Sequence, residues 1–294
     1  MTAPTPQSEE PIIELGLPKG HIQENVFELL RDANIDISHR HRNYRPTFDM
    51  DGVSAKILKP QSVAKMVAAG SRDAGFTGAD WVEELEADVV EILDTEMDPV
   101  RLVVAAPEEM VTDGELPDGP LTVASEYVRL SERWLDEAGI EGAVVQSYGA
   151  TEVFPPEDAD VIVDVAQTGR TLEANDLEIV DVIMESTTRM YANPEALKDE
   201  AKQTIIERLR LLLQSVLDGR KRVMLEVNVA EDKLDDVVNA LPAMRKPTVS
   251  PLHNGDGYAV KAAVPKETVT EIVPDIKAAG GTDIVVTDFS QIVA

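Results

Sequence analysis

Between residues 12 and 192, short apolar runs alternate with stretches whose apolar residues recur every three or four positions. This alternation constrains the fold more than any other feature of the chain. Residues 12–17, 53–58, 89–93, 100–106, 121–124, 144–147, 160–163, 179–184 and 189–192 read as strands. Residues 22–33, 61–69, 81–85 and 130–138 read as helices between them, the first with Val26, Leu29 and Leu30 on one face. Strands alternating with helices imply an α/β fold with helices packed on a sheet.

The junctions between strands and helices hold the candidate site. Asp164 closes an apolar run and is followed by Thr168, Gly169, Arg170, Thr171 and Leu172. A glycine lets the backbone come close to a ligand. Successive N–H groups can converge on an anion, and the two threonine hydroxyls add donors. An acid at the strand end suits a ribose diol or a magnesium ion. Pro18, Lys19, Gly20 and His21 follow the first strand, with Lys19 as a point charge. Thr77 and Gly78 follow another strand, and Asp80 stands where it caps the helix 81–85. Gly149, Ala150, Thr151 and Glu152 form a further turn. Each junction fits two descriptions, a phosphate-accepting loop or a plain glycine turn, and both stay open on these residues alone.

Residues 193–294 change character. Asn193, Pro194 and Glu195 look like a helix start, with a cap, a proline at the first position and an acid in the first turn. Leu197, Ala201, Ile205, Leu209, Leu212, Leu213 and Val216 then share a face, and Gly219 ends the helix. Strand 222–229 is followed by a helix bearing Leu234, Val237, Val238 and Leu241. Strands 247–252 and 258–264 flank the turn Asn254-Gly255-Asp256-Gly257. A helix with Val269, Ile272, Val273 and Ile276 contains Pro274, which should kink or break it, and strand 284–287 closes the chain. The order βαββαβ is that of a ferredoxin-like domain.

Charge and composition remove several function classes. Fifty-five acids face 27 bases, a net charge of −28. Nucleic acid is excluded as a partner, because a duplex needs a basic footprint. No apolar run approaches the ~18 residues of a membrane span. The first eleven residues lack the basic and apolar regions of a signal peptide and read as a short disordered tail, so a cytoplasmic protein is expected. Zero cysteines exclude disulfides and thiolate sites. His39 and His41 alternate with Arg40 and Arg42, but two ligands do not make a zinc site. P-loop, Rossmann and serine-hydrolase motifs are missing from the sequence. The acids are spread along the chain, as in a protein adapted to high intracellular salt or an ordinary acidic protein.

Glu152, Ala159, Ile162, Asp164, Thr168, Gly169, Thr171 and Leu172 together resemble the signature of the ATP phosphoribosyltransferase family. The similarity runs from about Ile12 to Val293 and includes the C-terminal domain of the family's long form. Asp158 stands where the family usually has glycine, His21 where it has arginine, and Glu126 and Val128 depart from its pattern. The resemblance implies a two-domain, periplasmic-binding-protein-like catalytic core and a ferredoxin-like regulatory domain. It divides the chain into 1–104, 105–186, 187–221 and 222–294, with the chain crossing to the second catalytic domain near 105 and returning near 187. It implies ATP and phosphoribosyl pyrophosphate as substrates, Mg2+ as cofactor, histidine as inhibitor and a homo-oligomer from dimer to hexamer. Asp164 and Glu152 would be catalytic, meeting the metal through substrate or water. Thr168, Gly169, Arg170, Thr171 and Leu172 would hold the phosphoribosyl group. Lys19, Gly20, Thr77, Gly78, Arg101, Tyr127 and Arg129 would contact ATP or phosphate, and Asn228, Thr248, Ser250 and Leu252 would bind histidine. An anion-binding module without chemistry is the rival expectation.

If the acidic coat is an adaptation to salt, potassium chloride should raise the melting temperature well into the molar range, because it relieves the repulsion of 28 net charges. A melting temperature that is flat or falling between low and molar salt excludes the adaptation.

Overall fold

A computed structural model describes residues 12–38, 43–242 and 246–293. The chain opens with β1 (Ile13–Pro18), α1 (Gln23–Asp32) and the short pair β2 (Ile37–Ser38) and β3 (Thr47–Phe48). Next come β4 (Val53–Leu58), α2 (Pro60–Ala68), β5 (Ala74–Gly78) and α3 (Ala79–Glu84). The long β6 (Val90–Pro107) leads to β7 (Leu121–Ser125), α4 (Val128–Ala138), β8 (Gly142–Gln146), β9 (Val161–Ala166) and α5 (Arg170–Glu173). A second long strand, β10 (Leu177–Ala192), precedes α6 (Glu200–Arg220). Then follow β11 (Arg222–Val229), α7 (Leu234–Asn239), β12 (Thr248–Pro251), β13 (Tyr258–Pro265), α8 (Val269–Ala278) and β14 (Thr282–Asp288).

The main fold is one eight-stranded sheet in the order β4-β1-β5-β10-β6-β9-β7-β8. Strands β4, β1 and β5 are parallel to one another, and so are β9, β7 and β8. Between the two sets run β6 and β10, antiparallel to each other. Residues 102–106 are apolar without a break because both faces of the sheet are covered. Leu102, Val104 and Ala106 pack with Leu130 and Trp134 of α4, while Val103 and Ala105 pack with Leu172 and Leu177 on the other face. At the other end of the sheet, Gly75 lets α2 sit close. A Cβ there would stand 2.5 Å from Val63 and 3.0 Å from the Gly16 carbonyl oxygen.

Register shows where the two parallel sets end. Gly78, the last residue of β5, pairs with Thr188, which itself pairs with Met97. Ala166, the last residue of β9, pairs with Arg101, which pairs with Glu185. The carboxyl ends of both sets therefore meet the same short stretch of the β6–β10 ladder, residues 97–101 and 185–188. Ligands of open α/β sheets gather at carboxyl ends of this kind.

Several expected boundaries move. The strands expected at 89–93 and 100–106 are one strand, as are those at 179–184 and 189–192. The breaks in apolar pattern are absorbed inside the ladder by left-handed residues at Glu96 and Asp98 and by register shifts in β10. The expected crossings near 105 and 187 thus fall within continuous strands. The Asn193 carboxamide does cap a turn, accepting the Glu195 N–H at 2.9 Å, but the turn is a short 3-10 segment. Asp199 caps α6 proper, accepting the Ala201 and Lys202 N–H groups at 3.0 and 3.1 Å.

By contacts the chain forms two units. One comprises Met1–Glu28 with Ile35–Arg208, the other Leu29–Asn34 with Leu209–Ala294. The second half of α6, expected to return with the catalytic core, therefore belongs with the C-terminal segment. Leu209, Leu213, Val216 and Leu217 are buried, and the Ile292 N–H reaches the Ser215 carbonyl at 2.8 Å. Within this unit the four-stranded sheet β12-β13-β11-β14 buries Val223, Leu225, Val227 and Val229 beneath α7 and α8, the expected βαββαβ arrangement. Pro274 lies inside α8 without ending it, since Ile272 and Ile276 on either side are buried in that core. No helix among the described residues is long and apolar enough to cross a membrane.

Candidate active site

Period-two alternation along β9 decides which way Asp164 faces. Val161 and Val163 point to the α4 side, Ile162 and Ala166 to the α5 side, and Asp164 goes with the latter. Its Oδ1 accepts the Val165 N–H at 2.7 Å. Burial pushes its pKa up to about 6, and the charges of Glu152 and Glu126 push the same way. Arg101 stands on the neighbouring strand on the same face, opposite Ala166 where Asp164 is opposite Val103. Asp164 and Arg101 are thus diagonal neighbours, about 7–8 Å apart at the backbone.

The loop after β9 turns at Gly169, whose φ of +78° is a left-handed conformation that favours glycine. Thr168, Arg170 and Thr171 are exposed around it. Leu172 is 5% exposed and packs with Ile162 and Ala166. Its side chain anchors the loop, so any contact of this residue with a ligand would fall to its backbone. Glu152 lies in the 3-10 turn Thr151–Val153, reached through left-handed Gly149 and Ala150. Asp164, Arg101, Glu152 and the 168–171 loop are therefore brought together at one strand end.

The opposing strand ends carry Lys19, Gly20, Thr77 and Gly78. The Lys19 ammonium is exposed and donates to the Tyr44 hydroxyl at 3.1 Å. Gly20 has a φ of +100° with open space around it. Thr77 is 1% exposed and donates to the Pro60 carbonyl at 2.9 Å, so its hydroxyl is used within the fold. Gly78 is glycine because the Asp80 carboxylate occupies the place of a Cβ.

Tyr127 and Arg129 differ most from expectation. The Tyr127 hydroxyl donates to Asp80 Oδ2 at 2.6 Å, and its ring stacks on Trp81 with centroids 4.4 Å apart. Burial and the Asp80 charge hold its pKa well above the usual range. Ser186 donates to the other oxygen of Asp80 at 2.6 Å. Asp80 is therefore no helix cap; it ties α3 to the start of α4 and to β10. Glu84 adds a second tie, accepting the Arg129 and Leu130 N–H groups at 3.1 and 3.0 Å. Burial raises its pKa despite those bonds and despite the favourable helix N-terminus. The Arg129 guanidinium pairs with Glu86. In this structure the Tyr127 hydroxyl and one guanidinium nitrogen of Arg129 thus bond to α3 and the residues just after it.

A small cavity of about 50 Å³ opens here, lined by His21, Gly78, Asp80, Trp81, Tyr127 and Val165 among others. It is too small for a nucleotide. A larger depression, about 740 Å³, lies between the 114–120 loop, Trp134 and Asp181 and contains none of the expected site residues. In the C-terminal sheet, Asn228 and Ser250 both pair with Ala259, and Thr248 pairs with Lys261 two positions along. These three residues share one face, opposite the buried valines of β11. The Leu252 N–H is taken by the Gly257 carbonyl at 2.9 Å. His39 and His41 lie outside the described residues.

Asp164, Ser125 and Ser147 are polar side chains at or next to the carboxyl ends of β9, β7 and β8, and Asp80 lies in the first turn of α3 just after β5. For Asp164 that place is readable in sequence, as an acid closing an apolar run. For Asp80 no local pattern distinguishes the role from a cap.

The sheet and its strand-end loops are those of an open α/β fold with ligand-accepting strand ends, and sequence comparison gives the class of protein. A profile described as ATP phosphoribosyltransferase matches residues 59–214, and that of the family's C-terminal domain matches 219–291. ATP phosphoribosyltransferases of Pelotomaculum thermopropionicum and Chlorobaculum parvum are 38% and 36% identical. The first alignment covers 93% of this chain and 96% of the relative, the second 96% and 98%. A chain of the ATP phosphoribosyl transferase (HisG:HisZ) complex from Thermotoga maritima shares the fold with a TM-score of 0.60 at 24% identity, over 69% of this chain and 98% of that one. The chain belongs to the ATP phosphoribosyltransferase family, in the long form with a C-terminal domain. It is a pentosyltransferase, and the rival expectation of a binding module without chemistry is set aside.

The raised pKa of Asp164 has a consequence for stability. Its folded value of about 6 lies above the ordinary 3.8, so folding favours the protonated acid. That contribution is fully present below about pH 4 and is lost as pH rises through 6. Asp164→Asn should therefore be more stable than the parent at pH 7 by about 1–3 kcal/mol, and no more stable at pH 4. Urea unfolding at the two pH values measures this; lower stability of the variant at pH 7 overturns it.

Proposed function

We propose that this chain joins N1 of ATP to C1 of phosphoribosyl pyrophosphate at the Asp164 strand end, releasing pyrophosphate in the first step of histidine synthesis. The observation that carries the proposal is the convergence of Asp164, Arg101, Glu152 and the Gly169 loop in a chain of this family. Asp164 would hold the ribose hydroxyls. The backbone and hydroxyls of 168–171 would take the 5′-phosphate, with Arg170 adding charge. Glu152 would contact ribose or metal-bound water. Lys19 and Arg101 would meet the phosphates of the nucleotide or the pyrophosphate, and Gly20 and Gly78 would let them approach.

Bond cleavage at C1 gives an oxocarbenium-like transition state. The protein's task is then to position the two substrates and stabilise the departing charge. No covalent nucleophile is needed. Among the described residues, no three acidic or histidine side chains are grouped to hold a metal. Two carboxylates, Asp164 and Glu152, fit Mg2+ retained mainly by substrate oxygens and water. Their mutual repulsion is a charge that such a cation would relieve. When bound, the ion would supply neutralisation of the pyrophosphate.

The same proposal gives feedback inhibition by histidine to residues 222–294. The shared face of Asn228, Thr248 and Ser250 supports it, since amide and hydroxyl groups can meet an ammonium and a carboxylate. Inhibition through a second site requires a coupled change of shape or assembly, with homo-oligomers from dimer to hexamer as the proposed states. A cytoplasmic location and an acidic coat suited to salt complete the reading.

Incubation with ATP, phosphoribosyl pyrophosphate and Mg2+, followed by the absorbance of N1-substituted ATP, tests the activity. Asp164→Asn and Thr168→Val should each lower turnover by about 10²-fold, as expected when charge-assisted bonds of about 1.5–3 kcal/mol are lost. Near-normal turnover in both removes this strand end from the active site.

For the inhibitor, calorimetric titration should show histidine binding to the full-length protein, weakened about tenfold by Thr248→Ala with uninhibited turnover unchanged. Absence of binding to the parent protein overturns the regulatory assignment alone.

A further inference from the structure

We propose that Tyr44 is the positioning residue that holds the Lys19 ammonium in place for a phosphate without neutralising its charge. The inference rests on the reading of Lys19 as a phosphate contact and adds a residue to it.

Both residues are pinned to consecutive positions of β4, an edge strand of the main sheet. The Lys19 N–H donates to the Leu58 carbonyl at 2.7 Å, and the Tyr44 carbonyl accepts the Ile57 N–H at 2.8 Å. Successive residues of a strand bond to opposite sides. Lys19 therefore extends β1 on one side of β4, and Tyr44 lies along the free edge on the other. Their backbones stand two strand spacings apart, about 9–10 Å. The side chains close that distance. The Lys19 ammonium donates to the Tyr44 hydroxyl at 3.1 Å and lies 5.0 Å from the ring centroid. At that range the ring attracts the cation as well.

The kind of partner carries the inference. In a chain with 55 acids and 27 bases, a lysine has carboxylates all around it. Lys202 meets Asp73, Lys261 meets Glu226 and Lys266 meets Asp288. Lys19 meets a phenol. A carboxylate would fix the ammonium but cancel its charge, and a polyphosphate would have to displace it. A phenol fixes the ammonium and leaves the charge whole. Lysine has three donors, and the Tyr44 hydroxyl takes one, which leaves two for phosphate oxygens. A free lysine stem loses rotamer freedom when it binds an anion, and a stem already held loses less. Gly20, at φ +100° with open space around it, leaves room for the anion beside Lys19. Tyr44 is 50% exposed, so burial of its ring does not account for the contact. Both side chains can be changed without touching the backbone bonds that place them.

Steady-state kinetics with both substrates separate positioning from direct contact. Lys19→Met should raise the KM of whichever substrate its ammonium meets, by about tenfold or more. Tyr44→Leu should raise the same KM about fivefold and leave unchanged any KM that Lys19→Met leaves unchanged. Its melting temperature should stay within a few degrees of the parent. Tyr44→Phe keeps the ring and loses the acceptor, so it should fall between, at about twofold. In the Lys19→Met background Tyr44→Leu should add nothing, because Tyr44 acts only through Lys19. An effect of Tyr44→Leu that persists in that background overturns the proposal. A parental KM for both substrates in Tyr44→Leu, beside an impaired Lys19→Met, also overturns it and leaves the reading of Lys19 standing. If Lys19→Met is itself parental for both substrates, that reading falls and the positioning role with it.

Discussion

The backbone ladder between β6 and β10 is the constraint on which the rest of the catalytic fold depends. Both strands are far longer than the usual five or six residues, at 18 and 16. Their length lets one sheet carry two parallel sets that run in opposite senses. Because β5 ends opposite Thr188 and β9 ends opposite Arg101, the loops of both sets project over the same part of the ladder. A site assembled from two βα layers follows from that register. A slip of one residue would turn Asp164 to the α4 face and bury it among Leu130 and Trp134. The apolar run 102–106 prevents such a slip, since its alternate residues are packed on both faces.

Around that ladder the fold places carboxylates where apolar groups would be cheaper. Asp80 and Glu84 are 5% and 6% exposed, and together they accept bonds from a phenol, a serine hydroxyl and the first turn of α4. Removing one partner of such a group leaves a buried charge short of a donor, a far larger effect than the net worth of the bond. The ties therefore specify how α3 meets α4 more than they add stability. A nucleotide too large for the cavity at Tyr127 and Trp81 would have to enter beside this contact or part it.

Much of this was legible in the chain, for a physical reason. Strand β9 and its loop could be read because burial on both faces, an acid at the end and a glycine at +78° leave local marks. The βαββαβ order could be read because each element there has its own period and its own turn. The long strands could not, because Asp94, Glu96 and Asp98 interrupt the apolar pattern although the ladder continues through them. The Tyr127 bond to Asp80 could not be read, because an aromatic residue after a strand looks the same whether its hydroxyl faces a ligand or a buried carboxylate. The midpoint of α6 as a boundary was equally hidden. Leu209 and Leu213 obey one helical period with the residues before them, and only tertiary contacts assign them to the C-terminal unit.

Electrostatics connects the composition to the chemistry. A chain with a net charge of −28 repels polyphosphates at long range, and salt screens that repulsion over about 10 Å or less. Within that distance, local charges decide. At the Asp164 strand end, Arg101 and Arg170 are basic, but Glu152, Glu126 and Asp164 are acidic. Burial, with the two neighbouring acids adding to it, raises the Asp164 pKa to about 6, and a positive charge nearby would lower it. On the proposed reading, that is a magnesium-bearing sugar pyrophosphate and then the positive charge that develops at C1. On that reading, a site unfavourable to its own negative charge in the free protein would be complementary to the positive charge formed in the reaction. Binding energy used in this way is realised in the transition state and not in the ground state alone. Stability withheld from the free protein at Asp164 is therefore the expected signature of a catalytic carboxylate, and a structural one buried in an ion pair would show the opposite shift.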